Sequence, residues 1–532
     1  MTEENRRITL SRRAFIGAGL VAGIGLGVGI PFSLGAAGST STGNLLRSRL
    51  PLPQPFTMPF QTPPVLKPVR SDADTDYYEI TQTAATASIL PGVKTAIWGY
   101  NGIFPGPTIV SRRARTTVVR HTNNLPVPTV VHLHAGRTPP DSDGYPIDFV
   151  YPVDRSYMNQ HMNMDHMNMG GGSMVGDTTE GHRSYTYPLD QRAAMLWYHD
   201  HRMDFTGPSV WRGLAGLHFV RDDEEDALGL PSGPRELPVM ITDRSFAADG
   251  SLSYPSIDRS LMRTPGVTGS FVAGVLGDVM LVNGTPWPVA KVDGATYRLR
   301  IINACNARRL DLRLDPQPDG LLTQIGTDGG LLAAPIRHEH VELAPAQRLD
   351  VIIDFSSYKL GTAVTLLNDF GDGNMSQIMR FIVGEQTDEP FTVPDKLSTV
   401  ESLTAAQAVT TRTFRFQSGD VNHMKGWLID GQPFSPDDIA AAPKLGTVEV
   451  WRLIADFHHP VHLHLSPFQV LSRGVGGPGA FDAGWKDTID LRASEEAAIA
   501  IRFDGYPGKY VFHCHNLEHE DMAMMANFTT IQ

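Results

Sequence analysis

The sequence predicts an all-β chain of several sandwich or barrel domains, and three observations carry this. Residues 116–120, 297–302 and 447–452 are runs rich in Val, Ile and Thr that alternate in part between apolar and polar side chains. Gly, Pro and Asn bound these runs, which is the signature of half-buried strands between turns. The third observation is a turn-plus-strand start that recurs: Asn101-Gly102 with Pro105, Asn283-Gly284 with Pro286, and Asp430-Gly431 with Pro433, each followed by a β-branched strand. Length agrees, because 532 residues with 41% hydrophobic content exceed one core and suit about three domains of ~150 residues.

In chain order, residues 1–40 read as an export signal. Ser11-Arg12-Arg13-Ala14-Phe15-Ile16 resembles the twin-arginine motif, and no charged residue occurs from Ala14 to Leu46. The apolar part is rich in Gly and Ala and broken by Pro31. It is long enough to span a bilayer, so an uncleaved membrane anchor is the alternative. Either reading places the folded part outside the cytoplasm, as a periplasmic, cell-surface or secreted protein. Residues 41–72 carry Pro51, Pro53, Pro55, Pro59, Pro63, Pro64 and Pro68 and read as an extended linker or surface strap. Residues 158–174 hold Met158, Met162, Met164, Met167, Met169 and Met174, with His161, His166 and a run of glycines, and read as a Met-rich loop.

The formal net charge is −12, and without clustered Lys and Arg nothing points to nucleic acid. Charge of this sign steers weakly toward neutral or cationic partners. The two cysteines, Cys305 and Cys514, allow one disulfide by arithmetic. His513 and His515 on either side of Cys514 point to a metal site instead. Cys305 reads as a buried thiol acting as a small apolar residue.

The chemistry is concentrated in four histidine clusters: His132-Leu133-His134, His199-Asp200-His201, His459-Pro460-Val461-His462-Leu463-His464, and His513-Cys514-His515 followed by His519 and Met524. In a strand, residues i and i+2 share a face. Each His-x-His therefore aims two imidazoles at one place, and four such pairs suffice for several metals. Cys514 must point away from His513 and His515, so one strand would serve two metal sites with a short covalent path between them. A Cys thiolate, two imidazoles and a weak Met thioether form the blue-copper ligand set, and Cys514, His519, Met524 and His459 supply it.

On these residues the chain resembles the multicopper oxidase family, which includes laccases and bilirubin oxidases. The third cluster matches H-P-x-H-x-H and the fourth matches H-C-H-x₃-H-x₄-M. The tracts around His132 (with Asp141-Ser142-Asp143-Gly144), around Asn303-Ala304-Cys305-Asn306 and from His515 to Asp521 are similar to the spore-coat laccase and bilirubin oxidase branch. One departure is Ala135, where the family usually has Gly; only a small local backbone change is expected there. The Met-rich loop, which many relatives lack, is another.

The resemblance implies three cupredoxin-like Greek-key β-barrels: residues 73–235 with trinuclear-cluster ligands, 236–390 with no copper ligands and a spacer role, and 391–532 with the type 1 copper and further cluster ligands. It implies four copper ions. His459, Cys514 and His519, with Met524 axial, would hold the type 1 copper. His132 and His462 would hold the type 2 copper, and His134, His199, His201, His464, His513 and His515 the type 3 pair. Asp143 and Glu520 fall where the family has acids near the oxygen path, and there a carboxylate passes protons. His121, His182, His218, His338, His340, His423 and His458 lack a complementary cluster and read as ordinary surface or hydrogen-bonded histidines.

The expected activity is laccase-like: one-electron oxidation of a phenolic, aromatic amine or tetrapyrrole donor, coupled to reduction of O₂ to water. The donor would dock near the type 1 site, with an imidazole edge of His459 or His519 reaching the surface as the entry point. A cuprous-ion oxidase is the alternative that the Met-rich loop motivates, because thioethers prefer Cu(I). An exported structural relative that lacks activity is disfavoured by the complete ligand set. The membrane is expected to matter only through the N-terminal segment.

Overall fold

The computed structural model describes residues 42–154, 176–317, 322–387, 391–421 and 424–532. The twin-arginine segment, the Met-rich loop and His423 lie outside the described residues. The all-β expectation holds: the described residues form three pairs of facing sheets, each around its own apolar core.

In the first pair, a sheet containing Thr75–Ala87, Thr116–Asn124 and His182–Tyr187 faces one ordered Gly106–Arg112, Ala215–Arg221, Ala194–Asp200, Val131–His134. Burial along Thr116–Asn124 alternates, with Thr117, Val119, His121 and Asn123 inside, so the period of two seen in the sequence is a core face. Ala194–Asp200 is buried along its whole length because both of its faces are covered. Leu196 and Tyr198 enter the first core, while Met195 and Trp197 pack with Met240, Ile302 and Ala346 of the second sandwich.

The second pair is a seven-stranded sheet with Glu236–Arg244, Thr296–Asn303 and Arg348–Asp354 at its centre, facing a five-stranded one. The third pairs a sheet built on Ala408–Val421, Thr447–Ala455 and Glu496–Phe503 with one ordered Ile439–Ala441, Met525–Thr530, Gly508–Cys514, His459–Leu463, Thr488–Leu491. The Pro-rich stretch is tied down by backbone hydrogen bonds: Leu46 N to Leu276 O, Phe60 N to Val289 O and Leu66 N to Thr108 O, each 2.8 Å. No helix of the described residues is long and apolar enough to cross a membrane.

Two short helices, Thr206–Arg212 and Leu517–Glu520, meet between the outer sandwiches. The helix Thr206–Arg212 has no capping side chain of its own. The carboxylate of Asp521 accepts from Thr206 N and Gly207 N, both at 2.8 Å, and so satisfies the exposed amides of its first turn. Gly207 is required there, since a Cβ would lie 2.6 Å from the Tyr254 hydroxyl and 2.9 Å from that carboxylate.

Candidate metal centre

Strand register explains how the histidines divide. In the first sandwich His199 lies opposite His132 and Trp197 opposite His134, so His132, His134 and His199 share one face. In the third, His462 lies opposite His513 and Val461 opposite Cys514. His462 and His513 therefore point out of the sandwich, while Cys514 points into its core beside Val461 and Met524. The three-residue step from His459 to His462 changes parity, which puts His459 on the Cys514 face. One strand thus addresses two sites, as the alternation requires.

Among the described residues the ligand atoms gather into four groups of histidine and cysteine alone: His132, His462 and His464; His134, His199 and His515; His201, His464 and His513; and His459, Cys514 and His519; a fifth joins His134 and His462 with Asp487. Every member is buried. The Cys514 Sγ lies 3.5 Å from Nδ1 of both His459 and His519, and those two nitrogens are 3.1 Å apart. Met524 is fully buried in the same core. Its amide donates to His519 O and its carbonyl accepts from Cys514 N, each at 3.1 Å.

These residues fit copper on their own chemistry. One ring nitrogen of most histidines is used outward. His132 Nδ1 donates to Asp143 O (2.6 Å), His462 Nδ1 to Asp487 O (2.9 Å), His134 Nε2 to Asp487 Oδ1 (2.9 Å), His199 Nδ1 to Asp200 O (2.9 Å) and His464 Nδ1 to Asp143 Oδ2 (2.8 Å). These partners fix the tautomer and leave the inward nitrogen as a lone pair. The inward atoms His132 Nε2, His134 Nδ1, His199 Nε2 and His462 Nε2, and both nitrogens of His515, are buried without a partner. His513 Nε2 lies 3.3 Å from Nε2 of both His201 and His464. Buried, unpaired acceptors converging in this way are costly unless a cation sits among them. The same holds for Cys514, whose thiol burial pushes up, with the Asn516 amide opposing; a bound cation is what holds a thiolate there. The donor set of soft thiolate, imidazole and thioether suits copper.

Asp143 and Glu520 flank the group His201, His464 and His513 from two sides. Gly144, at φ +81°, makes the tight turn behind Asp143; a Cβ there would lie 2.3 Å from Val131 O. Burial pushes the Asp143 carboxyl well above its ordinary value. Glu520 Oε1 accepts from Thr206 Oγ1 at 2.7 Å and Oε2 lies 3.1 Å from His513 Nδ1. Burial works against the Glu520 carboxylate, but His513 and His201 outweigh it and bring it down to about 2.

Several expectations change. His459 and His519 are both fully buried, so neither presents an edge to solvent. The Trp427 indole stacks on His519 at 3.7 Å, and His519 Nε2 donates to Ala273 O at 3.1 Å. His459 Nε2 instead donates to Asp456 at 3.0 Å, and that carboxylate is partly exposed. Ala135 keeps the left-handed backbone, φ +69°, which costs a residue with a Cβ about 1–2 kcal/mol. His121, His218, His338 and His458 are buried, and His218 and His338 fit the hydrogen-bonded reading, with Nε2 at 2.8 Å from Ser111 Oγ and 3.0 Å from Gln324 Oε1. The expectation of no disulfide holds, since Cys305 and Cys514 are both unbridged and buried.

Sequence reasoning missed Asp487, Arg348, Trp427 and Asp456. Only Asp456, three residues before His459, carried a local signal; the others reach the site through contacts across the fold.

Residues 81–156 and 393–532 match two family models, both described as multicopper oxidase. A laccase of Bacillus subtilis (strain 168) is 36% identical over 518 residues, covering 87% of this chain and 96% of that one. A bilirubin oxidase of Albifimbria verrucaria is 34% identical, covering 89% of this chain and 81% of that one. The crystal structure of a laccase from Pediococcus acidilactici superposes with a TM-score of 0.77 at 30% identity, covering 92% of this chain and 96% of that one.

Proposed function

The chain belongs to the multicopper oxidase family, and from that premise, which makes it a laccase-like copper oxidase with O₂ as acceptor, we propose its ligand roles, donor class and location. His459, Cys514, His519 and Met524 hold the type 1 copper, and His132 and His462 the type 2 copper. His134, His199 and His515 hold one type 3 copper, and His201, His464 and His513 the other. The single observation that supports this best is the convergence of the four histidine clusters into four buried groups, with Cys514 in one and its neighbours His513 and His515 in two others. When bound, the coppers supply one-electron redox chemistry, by which four electrons and four protons turn one O₂ into two waters.

The chain's own residues do the rest. Cys514 links the two sites covalently through the backbone it shares with His513 and His515. Buried packing excludes water and keeps reactive oxygen species enclosed. Glu520 holds or releases a proton at its carboxylate oxygens, with the Thr206 hydroxyl as its hydrogen-bond partner. Asp143 does the same from the other side, sharing the proton on His464 Nδ1.

The donor is a small phenolic, aromatic amine or tetrapyrrole reductant, a reading supported by the laccase and bilirubin oxidase relatives. It docks against the cover of the type 1 site formed by Trp427, Ala273 and Asp456. The twin-arginine-like start supports export to the periplasm, cell surface or medium. Oxygen uptake by the copper-loaded protein, offered a phenol and Cu(I) separately, tests the donor class. Fast uptake with the phenol alone is expected. A preference for Cu(I) that is lost on deleting residues 158–174 would replace this reading with copper detoxification.

A further inference from the structure

We propose that Arg348, in the sandwich that contributes no ligand to the four groups, positions the trinuclear histidines through Asp487 and makes that sandwich part of the oxygen-reducing site. The inference rests on the ligand assignment above.

Arg348 opens the strand Arg348–Asp354 and is 1% exposed. All five of its N–H groups are used. Nε donates to Met195 O of the first sandwich at 3.1 Å. One terminal nitrogen donates to Ala346 O and Asp487 Oδ1, both at 2.8 Å. The other donates to Asp328 O at 3.1 Å and to Asp487 Oδ2. One side chain thus ties the first sandwich to the third through the second, with a two-pronged grip on a carboxylate that lysine cannot copy.

Asp487 in turn touches both kinds of cluster histidine. Its Oδ1 accepts from His134 Nε2 and its main-chain oxygen from His462 Nδ1, each at 2.9 Å. Holding the proton on His134 Nε2 leaves Nδ1, a buried atom without a partner, as the lone pair that His134 offers to its group with His199 and His515. His462 is set in the same way, with Nε2 inward. The second sandwich also grips the segment around Asp487: Lys486 Nζ lies 3.2 Å from Asp328 Oδ2, and Gln347 Nε2 donates to Thr488 O at 3.0 Å. The angle of two histidines, one from the first sandwich and one from the third, is thereby set by a residue of the second. The spacer role expected for the middle region is incomplete.

The test compares copper-loaded Arg348→Lys and Asp487→Asn with the wild type and with Arg298→Lys. Arg298 is another buried arginine of the same sandwich, paired with Asp350 and Glu225. The readouts are the blue absorption of the type 1 copper, the type 2 paramagnetic resonance signal, the near-ultraviolet band of the type 3 pair, and copper retained against a chelator. The first two variants are expected to keep the blue band, alter the type 2 and type 3 signals and lose cluster copper about 10–100-fold more readily. Arg298→Lys is expected to lower thermal stability with all three signals intact. Wild-type type 2 and type 3 signals and copper retention in both Arg348→Lys and Asp487→Asn would overturn the inference. So would loss of all three signals in step, which marks general unfolding. A wild-type protein lacking type 2 and type 3 signals would overturn the ligand assignment itself, and this inference with it.

Discussion

Asp143 makes two histidine contacts of different kinds, and substitution separates them. Its carboxylate Oδ2 accepts from His464 Nδ1 at 2.8 Å, whereas its main-chain oxygen accepts from His132 Nδ1 at 2.6 Å. Replacement by alanine removes the first and leaves the second. The prediction is therefore asymmetric: Asp143→Ala disturbs the group His201, His464 and His513 and spares His132. Loss of a buried partner that orients a metal ligand costs about 10–100-fold in activity or metal affinity, or about 1.4–2.7 kcal/mol at 1.36 kcal/mol per decade. Asp143→Asn keeps an acceptor oxygen for His464 but cannot take up a proton. It should retain the type 3 spectrum and lose turnover by about 10²–10⁴-fold, the range for general acid–base groups. Oxygen uptake with a phenol, read beside the near-ultraviolet and type 2 signals, measures both effects. Turnover within twofold of wild type in Asp143→Asn, or a type 2 signal that changes before the type 3 band in Asp143→Ala, would refute the reasoning.

Cys514→Ser should abolish the blue absorption and donor-driven oxygen uptake together, with cluster copper retained; full oxidase activity in the variant would break the covalent-link argument. Trp427→Ala removes the indole stacked 3.7 Å over His519. It should shift the type 1 potential and change the rate of type 1 reduction by about tenfold, with Trp427→Phe between, and an unchanged potential would refute a tuning role. Acid stability should depend on the buried cluster of Glu225 and Glu236 with Arg221, Arg298 and Arg300. Burial pushes both glutamates up, but Arg300 and its neighbours outweigh it and hold them below their ordinary value. Folded values below the unfolded value, about 4.3, mean that this stability is present above that pH and lost as pH falls through the folded values. Glu225→Gln should cost about 3–5 kcal/mol at neutral pH by leaving buried guanidinium charge uncompensated, with a shallower acid dependence; unfolding curves in urea across pH measure both.

The sequence by itself determined the class of structure and the chemistry of the ligands. Period-two runs such as Thr116–Asn124 encode a strand with one buried face wherever they are placed. His-x-His and His-Cys-His encode which side chains share a face, because parity along a strand is a local property. It was legible without coordinates that His513 and His515 point to one side of their strand and Cys514 to the other. Only the tertiary structure decided which histidine faces which, through registers such as His199 opposite His132 and His462 opposite His513. It also decided that His519 is covered by Trp427 and Ala273, which corrected the expected open edge. Arg348 and Asp487 are 139 residues apart, and neither sits in a motif. A hydrogen bond between residues so far apart depends on how three sandwiches pack together, and residue spacing along the chain carries no information about that packing.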